Sequence, residues 1–292
     1  MIFESVNKNK IKTSFIVILF FILIGLFVYF LTYIFGENSQ ISFVIATIAT
    51  SITSIISYYA SDKIVIKANH ARIATREEYL QLNESLEALC IGAGLPVPKL
   101  YVMDSDSPNA FATGRNPKNA VVCVTTGLLK KLDKYEIEGV LAHELSHIKN
   151  YDILLSTVAT VMVGGVSIIA DSIARGYIRG NDDDDSKGNA IIMLIGIIFI
   201  ILAPIFSKLL QLALSRNREY LADSSAVQIT RNKDGLINAL KKISADPNPV
   251  RTANKASASM YIVNPLKNKE RDSLLSTHPT TANRIKRLEN IH

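Results

Sequence analysis

The chain has little cysteine and, over four long stretches, no charge. Only 2 of its 292 residues are cysteines, Cys90 and Cys123, and neither belongs to a C-x-x-C pair. This scarcity excludes a disulfide framework and a cysteine-rich zinc module, so two reduced thiols are expected. The stretches without charge are residues 14–36, 38–61, 153–170 and 189–207.

These uncharged stretches predict four membrane-spanning helices. Hydrophobic residues make up 48% of the chain and the mean hydropathy is +0.22, both high for a soluble protein of this length. Each stretch has roughly the length that a helix needs to cross about 30 Å of hydrocarbon. The first stretch is too long for the apolar region of a signal peptide, and no small-residue cleavage site follows it. We therefore expect an uncleaved anchor.

Basic residues flank the predicted spans rather than forming a patch for nucleic acid. The net charge is +6, yet the turn after the first span carries only Glu37, and the loop 171–188 has three basic residues against five aspartates. Because basic residues mark the cytoplasmic side of a span, both termini and both soluble segments are expected in the cytoplasm. The flanking basic residues are Lys8, Lys10, Lys12, Lys63, Lys67, Arg72, Lys208, Arg216 and Arg218.

The spans divide the chain into two membrane hairpins and two soluble segments. Residues 1–61 and 153–207 form the predicted hairpins, and residues 62–152 and 208–292 are the soluble segments. Each soluble segment alone is small for a stable domain, whereas the two together have the size of an ordinary domain. We therefore predict one discontinuous cytoplasmic catalytic domain with a membrane hairpin inserted into it.

The first soluble segment has an α+β pattern. Leu80, Leu82, Leu86 and Leu89 lie among charged residues over 76–90, which predicts a helix. Three short runs rich in β-forming residues follow at 99–103, 109–113 and 120–126, separated by turn residues. These runs predict a small antiparallel sheet.

A second helix in this segment carries the strongest chemical signal. Asp133 and Glu136 form a D-x-x-E start signal, and the stretch LAHELSH lies on the helix that follows. His143 and His147 are four residues apart and share one helix face, so both imidazoles can reach one ion. Glu144 is displaced by about 100° and would lie beside the ion, where it can accept a proton from a zinc-activated water. Zinc peptidases use this H-E-x-x-H arrangement.

A catalytic zinc needs a third protein ligand and one open position. Three candidates are His70 near the end of the second span, His292 at the end of the chain, and Glu219 in the stretch NREYLAD. We favour Glu219, because its helix leaves the same membrane face as the helix of the two histidines. Asp223, one turn further on, would accept the free ring N–H of a ligand histidine.

Two further residues and one short stretch can each be interpreted either as functional or as structural. His278 in STHPTTANRI either donates to the oxyanion of the reaction or is a surface residue. Asp152 either orients a ligand histidine or caps a helix at the membrane boundary. The stretch NAFAT either binds an extended peptide along an exposed edge strand or is ordinary sheet packing. The residues concerned in this last stretch are Asn109, Ala110, Phe111 and Ala112.

Four stretches in this order resemble the HtpX-type membrane zinc metalloproteases, which are related to the integral-membrane CaaX prenyl proteases. They are SPNAFATGRNPKNAVVCVTTGLL, IEGVLAHELSHIKN, SRNREYLAD and STHPTTANRI. The resemblance implies a zincin-like domain in which His143, His147 and Glu219 bind one zinc ion per subunit. It also implies that Glu144 is the catalytic glutamate.

Further expectations follow from the same resemblance. It implies that His278 lies near the oxyanion and that Asn109–Ala112 form a substrate-binding strand. It also implies a multi-pass protease of the bacterial inner membrane with its active site on the cytoplasmic side. Such a protease would degrade misfolded or damaged membrane proteins in quality control and stress response. Its partners would be protein substrates and the lipid bilayer.

A membrane holdase or scaffold with a structural zinc is the alternative function. Structural zinc sites are usually closed by four protein ligands, often cysteines, whereas only three good ligands are expected here. Catalysis is therefore favoured. A small transporter is disfavoured because the predicted spans contain no ionisable residues.

Overall fold

The structure of the chain is a computed structural model. It describes residues 39–161, 216–253, 257–266 and 279–291, with residue 164 and scattered positions between 11 and 29. Within its continuous described stretches, the helices are α1 (Ser39–Ala68), α2 (Arg76–Ala93), α3 (Thr126–Lys131), α4 (Lys134–Lys149), α5 (152–161), α6 (Arg216–Thr230), α7 (Lys233–Ala245) and α8 (Thr281–Glu289). The strands are β1 (Arg72–Ile73), β2 (Lys99–Met103), β3 (Ala110–Gly114) and β4 (Ala120–Thr125), and short 3-10 turns lie at Pro117–Asn119 and Ala258–Met260.

The four strands form one mixed sheet in the order β1-β2-β4-β3. Strand β1 pairs with β2 antiparallel, and β3 pairs with β4 antiparallel. Strand β4 lies between β2 and β3, and it runs parallel to β2. Strand β3 is therefore at one edge of the sheet.

The prediction of a purely antiparallel sheet is wrong for the pair β2 and β4. Every residue of β4 is buried, because both faces of this central strand are covered. A continuous apolar run such as AVVCVT is typical of a strand that is covered on both faces, the setting in which parallel pairing is common. The positions of the three predicted strands agree with β2, β3 and β4 to within one residue.

Helix α4 begins as its sequence predicts and lies at the centre of the domain. The side chain of Asp133 accepts a hydrogen bond from the N–H of Glu136, and the carboxylate of Glu136 accepts one from the N–H of Asp133. This reciprocal capping box satisfies two N–H groups that the helix leaves without an internal partner. Apolar side chains recur along this helix at helical spacing and are buried, namely Ile137, Val140, Leu141, Leu145 and Ile148.

Both soluble segments contribute to one hydrophobic core. Helix α4 packs against α2 and the sheet on the first segment's side and against α6 and α7 of the second segment. The core contains Val122 and Leu141 together with Leu236, Leu240 and Leu288. Cys90 and Cys123 are both buried free thiols.

The described residues do not confirm the four predicted spans. Helix α1 covers most of the stretch 38–61 and continues to Ala68. Within the part of the chain that the structure describes, no helix combines the length and apolarity that a membrane crossing requires. Most of the stretch 14–36, the end of the stretch 153–170 and all of 189–207 lie outside the described residues.

Candidate metal centre

Helices α4 and α6 bring two imidazoles and one carboxylate to a single point. The Nε2 atoms of His143 and His147 are 3.2 Å apart. One oxygen of Glu219 lies 3.7 Å from His143 Nε2, and the other lies 3.6 Å from His147 Nε2. His143 and Glu219 are buried, and His147 is partly buried, so the three groups form a converging set of metal-binding atoms.

This geometry fits zinc. A tetrahedral ion that binds two imidazoles at about 2.0–2.1 Å holds their nitrogens about 3.3 Å apart. The observed separation of 3.2 Å between His143 and His147 therefore needs almost no adjustment. Of the other two candidate ligands, His70 is exposed on a turn outside this cluster, and His292 lies outside the described residues.

A carboxylate behind each histidine fixes the orientation of its ring. The Nδ1 of His143 lies 3.0 Å from Asp223, and the Nδ1 of His147 lies 3.2 Å from Asp152. An Nδ1–H donated to a carboxylate leaves the lone pair of Nε2 for a metal ion. The two aspartates suggested by the sequence thus occupy the positions that such a role requires.

Comparisons with known proteins agree with this site. A family model described as Peptidase family M48 matches residues 76–292. The chain belongs to peptidase family M48. A Protease HtpX homolog from Dictyoglomus turgidum is 44% identical over 286 residues, which cover 98% of this chain and 93% of the relative. A Protease HtpX homolog from Listeria monocytogenes is 42% identical, with both chains covered completely.

A solved structure supports the fold. The crystal structure of S. mikatae Ste24p has a TM-score of 0.51 to this M48 chain at 20% sequence identity. The match covers 98% of this chain and 67% of Ste24p, and at this identity it shows a shared fold. Membership of the M48 family makes the chain a metal-dependent peptidase.

Burial and the neighbouring charges change the acid–base properties of the M48 site. Burial raises the pKa of the Glu144 carboxyl above its usual 4.5, and the carboxylate of Glu219 adds to this effect. Burial alone lowers the pKa of His143, but Asp223 and Glu219 outweigh it and raise that pKa above 6.5. A buried carboxyl whose pKa is shifted upward suits a group that must take up and release a proton near neutral pH.

Sequence reasoning missed Arg284 on α8, a guanidinium buried beside the metal-binding atoms. Its Nε and Nη2 donate to the two oxygens of Asp223 at 2.9 and 2.7 Å, and its Nη1 lies 3.9 Å from Glu219. The positive charge lowers the pKa of Asp223 and keeps that carboxylate ionised behind His143. The sequence does contain a signal for the burial of this residue. Thr281, Arg284 and Leu288 recur at helical spacing and form the buried face of α8.

The predicted substrate strand lies at an edge of the sheet, but this edge is not exposed. Strand β3 is at the end of the sheet, and Ala112 lines the same cleft as Glu144. However, all five residues of β3 are buried, because Tyr261 and Ile262 cover its outer edge. Asn109 is buried as well and donates to the carbonyl of Val263. His278 lies outside the described residues.

The cleft at the metal-binding atoms is small. Its volume is about 30 Å³, which accommodates roughly two water molecules. It lies between α4, β3, α5 and the segment around Tyr261. Among the residues that line it are Ala112, His143, Glu144, Ser156, Met260 and Ile262.

Proposed function

We propose that this M48 chain is a zinc endopeptidase in which His143, His147 and Glu219 bind one zinc ion. The observation that carries the proposal is the separation of 3.2 Å between the two Nε2 atoms, with a carboxylate oxygen within 3.7 Å of each. Catalytic zinc sites have three protein ligands and one open position, whereas structural zinc sites have four protein ligands. The cleft beside these three ligands therefore favours a catalytic site.

Glu144 is the general base and general acid of the proposed reaction. Bound zinc would supply a Lewis acid that polarises the scissile carbonyl and lowers the pKa of the attacking water. Glu144 lines the same cleft as both histidines, where it accepts the proton of that water and then delivers it to the leaving amine. Asp152 and Asp223 hold the imidazoles in position throughout. By resemblance to the family, His278 donates to the oxyanion.

The proposal includes attachment to a membrane. Many large apolar side chains of α1 are exposed, a surface that is costly in water and favourable in lipid. The basic residues around the uncharged stretches favour a cytoplasmic active site in the bacterial inner membrane. Misfolded or damaged membrane proteins are the proposed substrates, in quality control and stress response. The exposed aliphatic and phenylalanine side chains of α1 include those of Ile41, Phe43, Val44, Ile45, Ile48, Ile52, Ile55, Ile56 and Ile64.

Glu144→Gln tests the catalytic assignment in the purified full-length chain in detergent. We expect this variant to retain one zinc ion per chain, measured by elemental analysis, because Glu144 is not a ligand. Its rate of casein cleavage should fall by about 10²–10⁴-fold, since the proton has no acceptor. Glu219→Ala should instead lose the metal together with the activity.

Glu138→Gln is the matched control on the same helix. Glu138 accepts a hydrogen bond from Ser85, which a glutamine oxygen can still accept, and activity should be unchanged. Equal casein cleavage by wild type and Glu144→Gln would refute the mechanism, as would a folded wild type that binds no zinc. A scaffold with a structural zinc would keep its function in Glu144→Gln.

A further inference from the structure

A segment of the chain itself lies on the outer edge of β3. We call residues 257–263 the strap. Tyr261 lies opposite Phe111 in an antiparallel bridge, and the N–H of Ile262 donates to the carbonyl of Ala110 at 3.0 Å. The rings of Phe111 and Tyr261 also contact each other, with centroids 5.0 Å apart. The strap thus uses the main-chain groups that an added peptide strand would use.

The strap also forms one wall of the metal-site cleft. Ser259, Met260, Tyr261 and Ile262 line it together with Glu144. The volume of this cleft is about 30 Å³ with the strap in place. A peptide strand added to this edge of β3 would occupy the position of the strap, so the strap must move before such a strand can lie beside Glu144.

We propose that the strap is an intramolecular occupant of the peptide-binding edge of β3, and that an extended unfolded substrate displaces it before cleavage. This inference rests on the proposed peptidase function and adds a means of restraining it. A folded protein cannot offer a free extended segment to compete with the strap. The closed strap therefore selects unfolded chains and imposes little specificity for their side chains.

Buried polar groups hold the strap from three sides. At the end of α1, Asn69 accepts hydrogen bonds from the hydroxyls of Ser257 and Tyr261 at 2.9 and 3.0 Å. Asn109 donates to the carbonyl of Val263 at 2.9 Å, and Arg284 donates to that of Ile262 at 2.6 Å. Of these contacts, the one at Asn69 is separate from the metal-binding atoms and from β3. It is therefore the contact to weaken in a test.

Tyr261→Phe removes one hydroxyl and leaves the ring in place. If only a fraction of molecules has an open strap, the apparent affinity for substrate is reduced by that fraction. The loss of one hydrogen bond changes such an equilibrium by roughly 2- to 10-fold. We therefore expect KM for reduced, carboxymethylated α-lactalbumin to fall by about 2- to 10-fold in Tyr261→Phe, with kcat little changed. Tyr135→Phe, at an exposed tyrosine of α4, is the control and should leave KM unchanged.

Hydrogen exchange reports displacement directly. The full-length Glu144→Gln variant is saturated with reduced, carboxymethylated α-lactalbumin, with binding followed by fluorescence anisotropy of the labelled probe. Exchange in the strap, including the amides of Met260 and Ile262, should become faster, while the amides of β3 remain protected. A KM that stays constant or rises in Tyr261→Phe, or strap exchange that stays constant or slows at saturation, would overturn the proposal.

The two proposals fail in different ways. The exchange measurement uses an inactive variant, so it reports the strap whether or not the wild type cleaves peptides. Failure of the peptidase proposal would appear as equal casein cleavage by wild type and Glu144→Gln. Failure of the strap proposal would leave that difference intact and abolish only the changes in KM and exchange.

Discussion

Arg218 illustrates how a residue beyond the ligands shapes the metal site. The sequence suggests a basic residue that flanks a membrane span, but in the structure the residue is buried, with 5% of its surface exposed. Its Nη1 donates to one oxygen of Asp152 at 2.9 Å, and the other oxygen of Asp152 faces His147 Nδ1. The guanidinium thus holds the carboxylate that in turn orients a ligand imidazole.

Replacement of Arg218 by methionine should weaken zinc binding. The carboxylate of Asp152 would lose its fixed partner, and the ring of His147 would lose part of its preorganisation. Changes at such supporting residues typically reduce metal affinity by about 10- to 100-fold. Competition with a chromogenic zinc chelator measures this affinity. Arg251→Met, at an exposed arginine, should match the wild type; a wild-type zinc affinity in Arg218→Met would show that Asp152 needs no such support.

At the scale of elements, the position of α4 depends on a glycine. A Cβ atom at Gly139 would lie 2.7 Å from the backbone nitrogen of Leu236 and 2.8 Å from its Cα. Helices α4 and α7 therefore approach each other at a distance that only glycine permits. His143 lies one turn further along the same helix, so this crossing also sets where the metal-binding face of α4 lies.

Gly139→Ala should destabilise the protein. Alanine favours a helix over glycine by about 1 kcal/mol, but a contact with the backbone of Leu236 cannot be relieved by a side-chain movement. Overpacking of this kind typically costs about 1–3 kcal/mol. The gain in helix propensity offsets about 1 kcal/mol of this cost, so we expect a net loss of up to about 2 kcal/mol in the free energy of unfolding by urea. Gly92→Ala on α2 is the matched control, because its added Cβ meets no atom within 4 Å. That control should be neutral or slightly stabilising, and an equal effect of both substitutions would contradict the packing argument.

Local signals predicted the helices and strands around the metal site well, and long-range contacts explain what they missed there. The capping box of Asp133 and the spacing of His143 and His147 involve residues within four positions of each other, so the sequence displays them directly. The parallel pairing of β2 with β4 depends on which strands meet after the chain has folded back. The cover on β3 joins Phe111 to Tyr261, and Arg284 meets Asp223 across 61 positions. No local pattern records such contacts.

For the whole molecule, the metal site joins parts of the chain that are distant in sequence. His143 and His147 come from the first soluble segment, Glu219 from α6 of the second, and Arg284 from α8 near the end of the chain. Both soluble segments also contribute to the hydrophobic core. The domain limits at residues 61, 152 and 207 remain predictions. An ion bound at this point links α4 to α6 and stabilises only the folded arrangement, since the unfolded chain does not hold the three ligands together.

Removal of zinc should therefore lower the thermal stability of the full-length chain in detergent. An ion present at 100 times its Kd stabilises the folded state by about 2.7 kcal/mol, which corresponds to roughly 5–10 °C in Tm for a domain of this size. Circular dichroism is the suitable measurement, because the chain has no tryptophan for intrinsic fluorescence. Glu219→Ala should show no difference between zinc and chelator, whereas Glu84→Gln, at an exposed glutamate of α2, should keep the full shift. If Tm still rises with zinc in Glu219→Ala, the stabilising ion binds elsewhere. Zinc at this site would then not be what links the two soluble segments.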